Sequence, residues 1–542
     1  MRMVLWSLMA CTGSDSGDSE VSETDIDTDI AIESPYSEQD LTELAAAAAA
    51  GLDAGNATGV QVAVWLDGDI VYSETFGVAD PELDVPPGRD TLFQIGSDTK
   101  KMTALALLQQ EEAGTLDRTD VVSVAIPGLE LVESPDWDQT TTLHHLISHQ
   151  GALYDYTPWD DAPADAELHD RAFGVFAATE WAMAPAGALW NYSNPNFSIA
   201  GLATEVAAER LWADVLTEDV FVPLGLTRTF ARKSEVEADG DFAIGTGYSL
   251  ISTEPFVPYY PDAEYASGRI PMEDQADNGF VRPAGLVWST AENMAAFGGF
   301  FIDGDPAVLS DDRREAMTTG YARMYPSYEA QTYGYGWMVI DGAHLGSGYY
   351  DIPLWMHGGN TLAFTSATYV LPEQRMSISI LSNGYGDNFG QLAVELMTRA
   401  EVLPAAQTAP PFPMDETDHA ELVGTYVDPT VGEIIVTDED GDLHVEIPYF
   451  EDLGYNVHGD LELALTDVYQ FEVGTIPMDL TFYADESGDY RWAGNRTFVG
   501  TRQDSFAPVV PRGMGRAELL IGFAEEEAAV RALSALRGRP IE

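Results

Sequence analysis

Val60, Val62 and Val64 alternate with Gln61 and Ala63, the two-residue period of a strand that buries one face. Asp67-Gly68 then marks a tight turn, and Ile70, Val71 and Tyr72 begin a return strand, so this segment reads as a β-hairpin. Ahead of it, Ser37 followed by Asp40 has the form of a helix cap, and the alanine-rich run Leu41 to Leu52 predicts a helix that ends by Gly55. Behind it lies a turn-rich connection from Asp80 to Asp90. The short apolar run Leu92-Phe93-Gln94-Ile95 then meets Gly96 and opens a helix that carries Ser97 at its start and that Gly114 terminates.

Further along, Ser198 to Arg210 has helical spacing, while Glu235 to Val281 is irregular and rich in Gly, Pro, Asp and Tyr, as the rim of a pocket would be. Short strands are predicted at Gly336 to Ile340, Phe364 to Leu371 and Arg375 to Leu381, followed by a helix from Gln391 to Glu401. Pro404 to Asp418 reads as a linker. Beyond it Leu422 to Val427, Glu433 to Val436, Leu443 to Ile447, Leu461 to Leu465, Leu480 to Tyr483 and Thr497 to Thr501 predict a small all-β module. Arg516 to Arg537 predicts a C-terminal helix, and Thr12 to Ser34 is too polar to bury a face. The expected division is 1–11 leader, 12–34 acidic tether, 35–403 main domain, 404–418 linker, 419–512 β-rich domain and 513–542 helix.

Composition narrows the function. With 542 residues and 45% hydrophobic content, the chain can bury two cores. A formal net charge of −65, from 90 acidic against 25 basic residues, argues against nucleic-acid partners and against adhesion to anionic lipid through a basic patch. The single cysteine, Cys11, excludes an internal disulfide and follows Leu8-Met9-Ala10 in the manner of a bacterial lipobox. Lipidation there would anchor the protein in the bacterial cell envelope, with the tether holding it off the membrane and the body facing the periplasm or the exterior.

Lysine occurs only at Lys100, Lys101 and Lys233. One of these stands three residues after a serine at a predicted helix start, where residues i and i+3 share a face. A desolvated lysine can take the proton of a serine hydroxyl, and a helix start favours an oxyanion. His145 and His149 are spaced one helical turn apart, but the run lacks the intervening glutamate of a zinc hydrolase and a third ligand, so a capped structural helix is expected and no metal. Tyr192 and Asn194 lie beside an Asn-Pro turn signal. They read either as turn residues or as a phenol base and a positioning amide. Gly358 and Gly359 next to a strand suggest close approach of a backbone or a ligand.

Ser97-Asp98-Thr99-Lys100, Tyr192-Ser193-Asn194 and His357-Gly358-Gly359 occur in that order, and with their linking phrases they resemble the serine β-lactamase and penicillin-binding-protein superfamily, in its class C β-lactamase, D-aminopeptidase and esterase branch. The resemblance implies an α/β fold, with an antiparallel sheet flanked by helices and a helical subdomain, and a C-terminal small all-β domain. It implies that Ser97 is acylated, that Lys100 is its partner, that Tyr192 is general base and then acid, and that Asn194 positions. The backbone N–H groups of Ser97 and Asn360 would form the oxyanion hole beside Gly359, with no cofactor. The departure is His357, where β-lactamases and DD-peptidases usually carry a carboxylate-binding lysine. A neutral imidazole moves the expected substrate toward small esters, amides or peptides. A β-lactamase or DD-peptidase is the alternative, as is a catalytically silent binding module.

Overall fold

The structure is a computed structural model that describes residues 34–503, except 156, 158–160, 249–266, 326–329, 386–388, 411–417, 464–467 and 475. Cys11, the tether up to residue 33 and the C-terminal helix expected at Arg516 to Arg537 lie outside the described residues, as does much of the expected linker.

Asp67 (φ 50°) and Gly68 (φ 106°) both take positive φ and close a hairpin between β1 (Gly59–Leu66) and β2 (Asp69–Gly77). Such a turn matches the twist of the strands it joins. Six more strands extend this hairpin: β3 (Ala322–Arg323), β4 (Gln331–Tyr333), β5 (Met338–Leu345), β6 (Gly348–Asn360), β7 (Thr365–Leu371) and β8 (Met376–Ser382). The resulting antiparallel sheet has eight strands in the order β2-β1-β8-β7-β6-β5-β4-β3. Every residue of β1 and of β8 is buried, so the centre of the sheet is covered on both faces. The polar position of the β1 alternation is buried as well: Gln61 Oε1 accepts from Ala291 N (2.6 Å), and its Nε2 donates to the carbonyl of Gly88 (2.7 Å). A buried amide is tolerable only when it is satisfied in this way.

Five longer helices surround the sheet: α1 (Glu38–Ala54), α2 (Thr99–Ala113), α3 (Asn194–Ala208), α4 (Ala291–Asp303) and α5 (Gly390–Arg399). Ser37 caps α1 in a reciprocal box with Asp40, and Gly114 (φ 73°) ends α2, as the sequence predicts. Trp65 and Val370 each lie opposite Ser377 across neighbouring strands, and α4 settles on these three through Gly298 and Gly299, where a Cβ would collide with them. Against α5, α1 is fixed by the Tyr36 hydroxyl, which donates to Leu396 O (3.0 Å).

The C-terminal part forms a closed barrel of eight strands: β9 (Gly424–Asp428), β10 (Gly432–Glu439), β11 (Asp442–Glu446), β12 (Val457–Leu463), β13 (Val468–Val473), β14 (Ile476–Ala484), β15 (Tyr490–Gly494) and β16 (Val499–Arg502). The sequence reading found six of these strands and missed β13 and β15. Closure removes the sheet edges that an open module of six strands would leave. One wall of the barrel rests on loops of the larger, sheet-containing part around Tyr154 and Trp181. There Val499 joins a small buried cluster in which Tyr154 stacks on Trp181 (4.4 Å, 11°) beside Met183 and Leu189.

Candidate active site

Helix α2 is buried at every position from Thr99 to Leu108, so it runs through the interior and Lys100 and Lys101 are fully enclosed. Within Thr91 to Lys100 only Ser97 escapes complete burial. The sequence reading put Ser97 on the first turn of the helix. In the structure it sits in a 3₁₀ turn, Gly96–Asp98, that leads into α2. That tighter turn still brings Lys100 Nζ to 2.8 Å from Ser97 Oγ.

Three acceptors surround the Lys100 amine: Ser97 Oγ, Asn194 Oδ1 (2.7 Å) and the carbonyl of Ala284 (2.8 Å). An ammonium has one proton for each of them. If it loses one, two donor bonds remain and the nitrogen lone pair faces Ser97, which is the arrangement a general base requires.

Asn194 is held from several sides. The Asn-Pro pair read as a turn signal is instead the start of α3, with Pro195 in the first turn, where its missing N–H costs nothing. The Asn194 backbone N–H donates to Asp155 Oδ1 (2.7 Å), and its Nδ2 donates to Thr157 Oγ1 (2.8 Å). The side-chain oxygen is therefore aimed at Lys100.

Beneath the serine lies a charged pair that the sequence does not reveal. Lys101 Nζ donates to Asp98 Oδ1 (2.6 Å), and both side chains are completely buried. Asp98 Oδ2 also accepts from Ser366 (2.9 Å) and Thr368 (3.0 Å), which joins the serine turn to β7. Burial pushes the Lys101 ammonium toward its neutral form, and Asp98 opposes that push.

Strand β7 pairs with β6, in which Gly359 lies opposite Ser366 and Asn360 opposite Thr365. The close approach read from the paired glycines occurs. A Cβ on Gly359 would stand 2.0 Å from Ile95 O and 2.7 Å from Ser97 N, and one on Gly96 would stand 2.5 Å from Asn360 N. The amides of Ser97 and Asn360 are thus gathered where two backbones touch.

Tyr192 is half-buried at the mouth of this assembly. Its ring lies 4.7 Å from Lys100 Nζ and 4.2 Å from the His149 ring centroid. The guanidinium of Arg496, from the barrel, stands 4.4 Å from the ring centre on a side chain that also pairs with Asp155 (2.6 Å).

His357 is buried, and its Nδ1 is 2.6 Å from the carbonyl of Gly358. A carbonyl can only accept, so Nδ1 carries the proton and the opposite nitrogen, Nε2, accepts from the Tyr333 hydroxyl (2.9 Å). Burial, then the nearby Lys100 and Lys101 charges, hold the imidazole pKa well below its ordinary 6.5. Burial and the neighbouring Tyr192 and Asp98 push the Tyr333 phenol well above 10. The pair is neutral on both sides.

His145 and His149 do not share a helix. The helix ends at Ile147, and His149 takes φ 57° beyond it, packed behind Tyr192 with its Nδ1 accepting from Ser193 N (3.2 Å). Among the described residues no cluster of three or more His, Cys, Asp or Glu side chains is arranged to hold a metal ion. Arg282 is buried and donates to Asp277, Asp165 and the carbonyl of Pro163, so it offers no cation to a substrate carboxylate.

A family model described as Beta-lactamase matches residues 44–399. Penicillin-binding protein 4* of Bacillus subtilis (strain 168) is 24% identical over 406 residues, which covers 70% of this chain and 82% of that protein. Among solved structures, a crystal structure of SurE superposes with a TM-score of 0.60 at 20% identity, over 86% of this chain and 99% of that one. The D-amino acid amidase of Ochrobactrum anthropi SV3, complexed with L-phenylalanine amide, gives 0.52 at 21% identity, over 67% and 97%. At these identities the two structures speak for the fold alone.

Proposed function

The chain belongs to the Beta-lactamase family, and from that premise we propose that it is a serine hydrolase that forms an acyl-enzyme on Ser97 and acts on small uncharged esters or amides. The observation that carries the proposal is the Lys100 amine set between Ser97 Oγ, Asn194 Oδ1 and Ala284 O. In this reading Lys100 and Tyr192 together take the proton from Ser97 Oγ as it attacks the carbonyl carbon. The carbonyl oxygen becomes an oxyanion held by the N–H groups of Ser97 and Asn360. Tyr192 then gives the proton to the leaving alcohol or amine, and water repeats the sequence on the acyl-enzyme.

The neutral His357–Tyr333 pair supports the choice of substrate. Where a lysine would offer an ammonium to a substrate carboxylate, this site offers an enclosed, uncharged imidazole. The reading is tested by turnover of a short-chain aryl ester by wild type and by Ser97→Ala; equal rates in the two proteins overturn it.

Penicillin-binding-protein relatives agree with a place at the cell envelope. We further propose that Cys11 carries a lipid anchor. Loss of fatty-acid incorporation in Cys11→Ala is the expected result, and unchanged incorporation overturns it.

A further inference from the structure

We propose that Arg496, on the turn between β15 and β16 of the barrel, is a positioning residue of the Ser97 site, so that the barrel is part of the catalytic apparatus; this rests on the hydrolase reading above. The turn is rigid. Asn495 Oδ1 accepts from the backbone of Thr497 (2.9 Å) and Phe498 (3.2 Å), while Asn495 Nδ2 donates to Asp479 O (3.0 Å). From the other side, Asn191 Nδ2 donates to the carbonyl of Arg496 itself (3.4 Å). The side chain then leaves the barrel and places Nε 2.6 Å from Asp155 Oδ2. Both side chains are shielded, at 9% and 2% exposure, and a charge pair so little hydrated interacts more strongly than a surface pair.

Two consequences reach the chemistry. The other Asp155 oxygen accepts from Asn194 N, so Arg496 braces, through one carboxylate, the residue that orients Lys100. The guanidinium also lies over the Tyr192 ring, where positive charge favours the phenolate that a general base needs. Among the described residues, the other titratable or charged groups seen to face that ring include Lys100, His149, His357 and Tyr333, with the internally paired Asp98 and Lys101 also in the site. Of these, the two imidazoles are held neutral by burial, so Arg496 is the positive charge over the ring that remains when the Lys100 amine is in its base form.

The test is the rate at which a fluorophosphonate labels Ser97, followed from pH 5 to 10, which needs no knowledge of the natural substrate. Arg496→Gln is expected to move the pH of half-maximal rate upward by roughly one unit and to slow labelling at pH 7 roughly tenfold, with Arg496→Lys recovering part of both. Asp155→Asn removes the countercharge but keeps an acceptor for Asn194 N, and is expected to move the midpoint downward. A purely structural contact would move neither midpoint, and opposite movements in two variants do not arise from lost stability. If Arg496→Gln fails to fold, the direction of the Asp155→Asn shift decides. Midpoints unchanged from wild type, or moved in the same direction in both variants, overturn the inference while leaving the hydrolase reading intact. Absence of Ser97 labelling in the wild type at every pH overturns both.

Discussion

Gly359 and Ser97 meet backbone to backbone: the position of a Cβ on Gly359 lies 2.7 Å from the Ser97 amide nitrogen and 2.0 Å from the carbonyl of Ile95. No side chain fits there without moving the strand that carries Asn360 or the turn that carries the serine. Gly359→Ala is therefore expected to cost one oxyanion donor, roughly 2.7 to 4 kcal/mol of transition-state stabilisation and about two to three orders of magnitude in kcat. Ester turnover measured beside thermal unfolding checks this. A lowered Tm, from the forced shift of strand or turn, together with a fall in kcat that persists at temperatures where the variant is fully folded, is the expected pattern.

Lys100 acts through its nitrogen, so Lys100→Met, which keeps the apolar stem, is expected to lower kcat by roughly two to four orders of magnitude, the range of lost general-base catalysis. Asn194→Ala leaves the amine in place with one partner fewer and is expected to do less harm. Single-turnover acylation rates separate the two, and an Asn194→Ala defect as large as that of Lys100→Met would contradict the division of roles.

Asp98 and Lys101 form a fully enclosed pair below the nucleophile. Removing one charge leaves the other without its partner, so Asp98→Ala or Lys101→Met is expected to cost about 3 to 5 kcal/mol of folding stability. The double substitution is expected to cost less than the sum of the singles. It does not return to wild type, because Ser366 and Thr368 lose their shared acceptor. Urea denaturation of the four proteins gives the coupling directly.

His149 and His357 are buried with pKa values held well below 6.5, chiefly by burial. The unfolded chain protonates these imidazoles as the pH falls through about 6.5, and the folded protein does not. Their contribution to stability is therefore fully present above that pH and is lost as the pH falls below it, at about 1.4 kcal/mol per pH unit for each group. Tm measured from pH 7.5 to 5 is expected to decline, and His357→Gln is expected to flatten the decline. A profile that is flat in the wild type would show that the imidazoles are hydrated.

Much of the site was legible because its chemistry is local. Ser97 and Lys100 share one turn, Asp67-Gly68 dictates its hairpin, and the adjacent glycines at 358 and 359 announce a close approach. What the sequence hid depends on contacts between distant segments. Nothing in Arg496-Thr497-Phe498 indicates that its arginine reaches Asp155, and Tyr333 becomes the partner of His357 only once β4 joins the sheet. His149 was misplaced because a residue with positive φ ends its helix early, which a non-glycine rarely signals. The strand β12 alternates Val457, Leu461 and Leu463 with His458, Asp460 and Glu462, but the one position it buries is Gly459, which carries no side chain to mark the inner face, so the sequence places the strand too late. Within the neighbouring β13, Tyr469 and Phe471 are buried with Gln470 between them, a two-residue period that the sequence does carry.

Substrate preference follows from the neutral, enclosed His357. A lysine ammonium binding a substrate carboxylate makes a charge-assisted hydrogen bond of roughly 1.5 to 3 kcal/mol, and its absence corresponds to about one to two orders of magnitude in specificity. The ratio of kcat/KM for a short-chain ester to that for a cephalosporin is expected to favour the ester. A preference for the cephalosporin would show that another cation receives the carboxylate.

The central claim is that Ser97 is the acylated nucleophile, and the most direct measurement is the intact mass of the protein after reaction with a fluorophosphonate, followed by peptide mapping. The expected result is a single adduct on the peptide containing Ser97 in the wild type and none on Ser97→Ala. An adduct of equal yield on Ser97→Ala, or one mapped to another serine in the wild type, would contradict it.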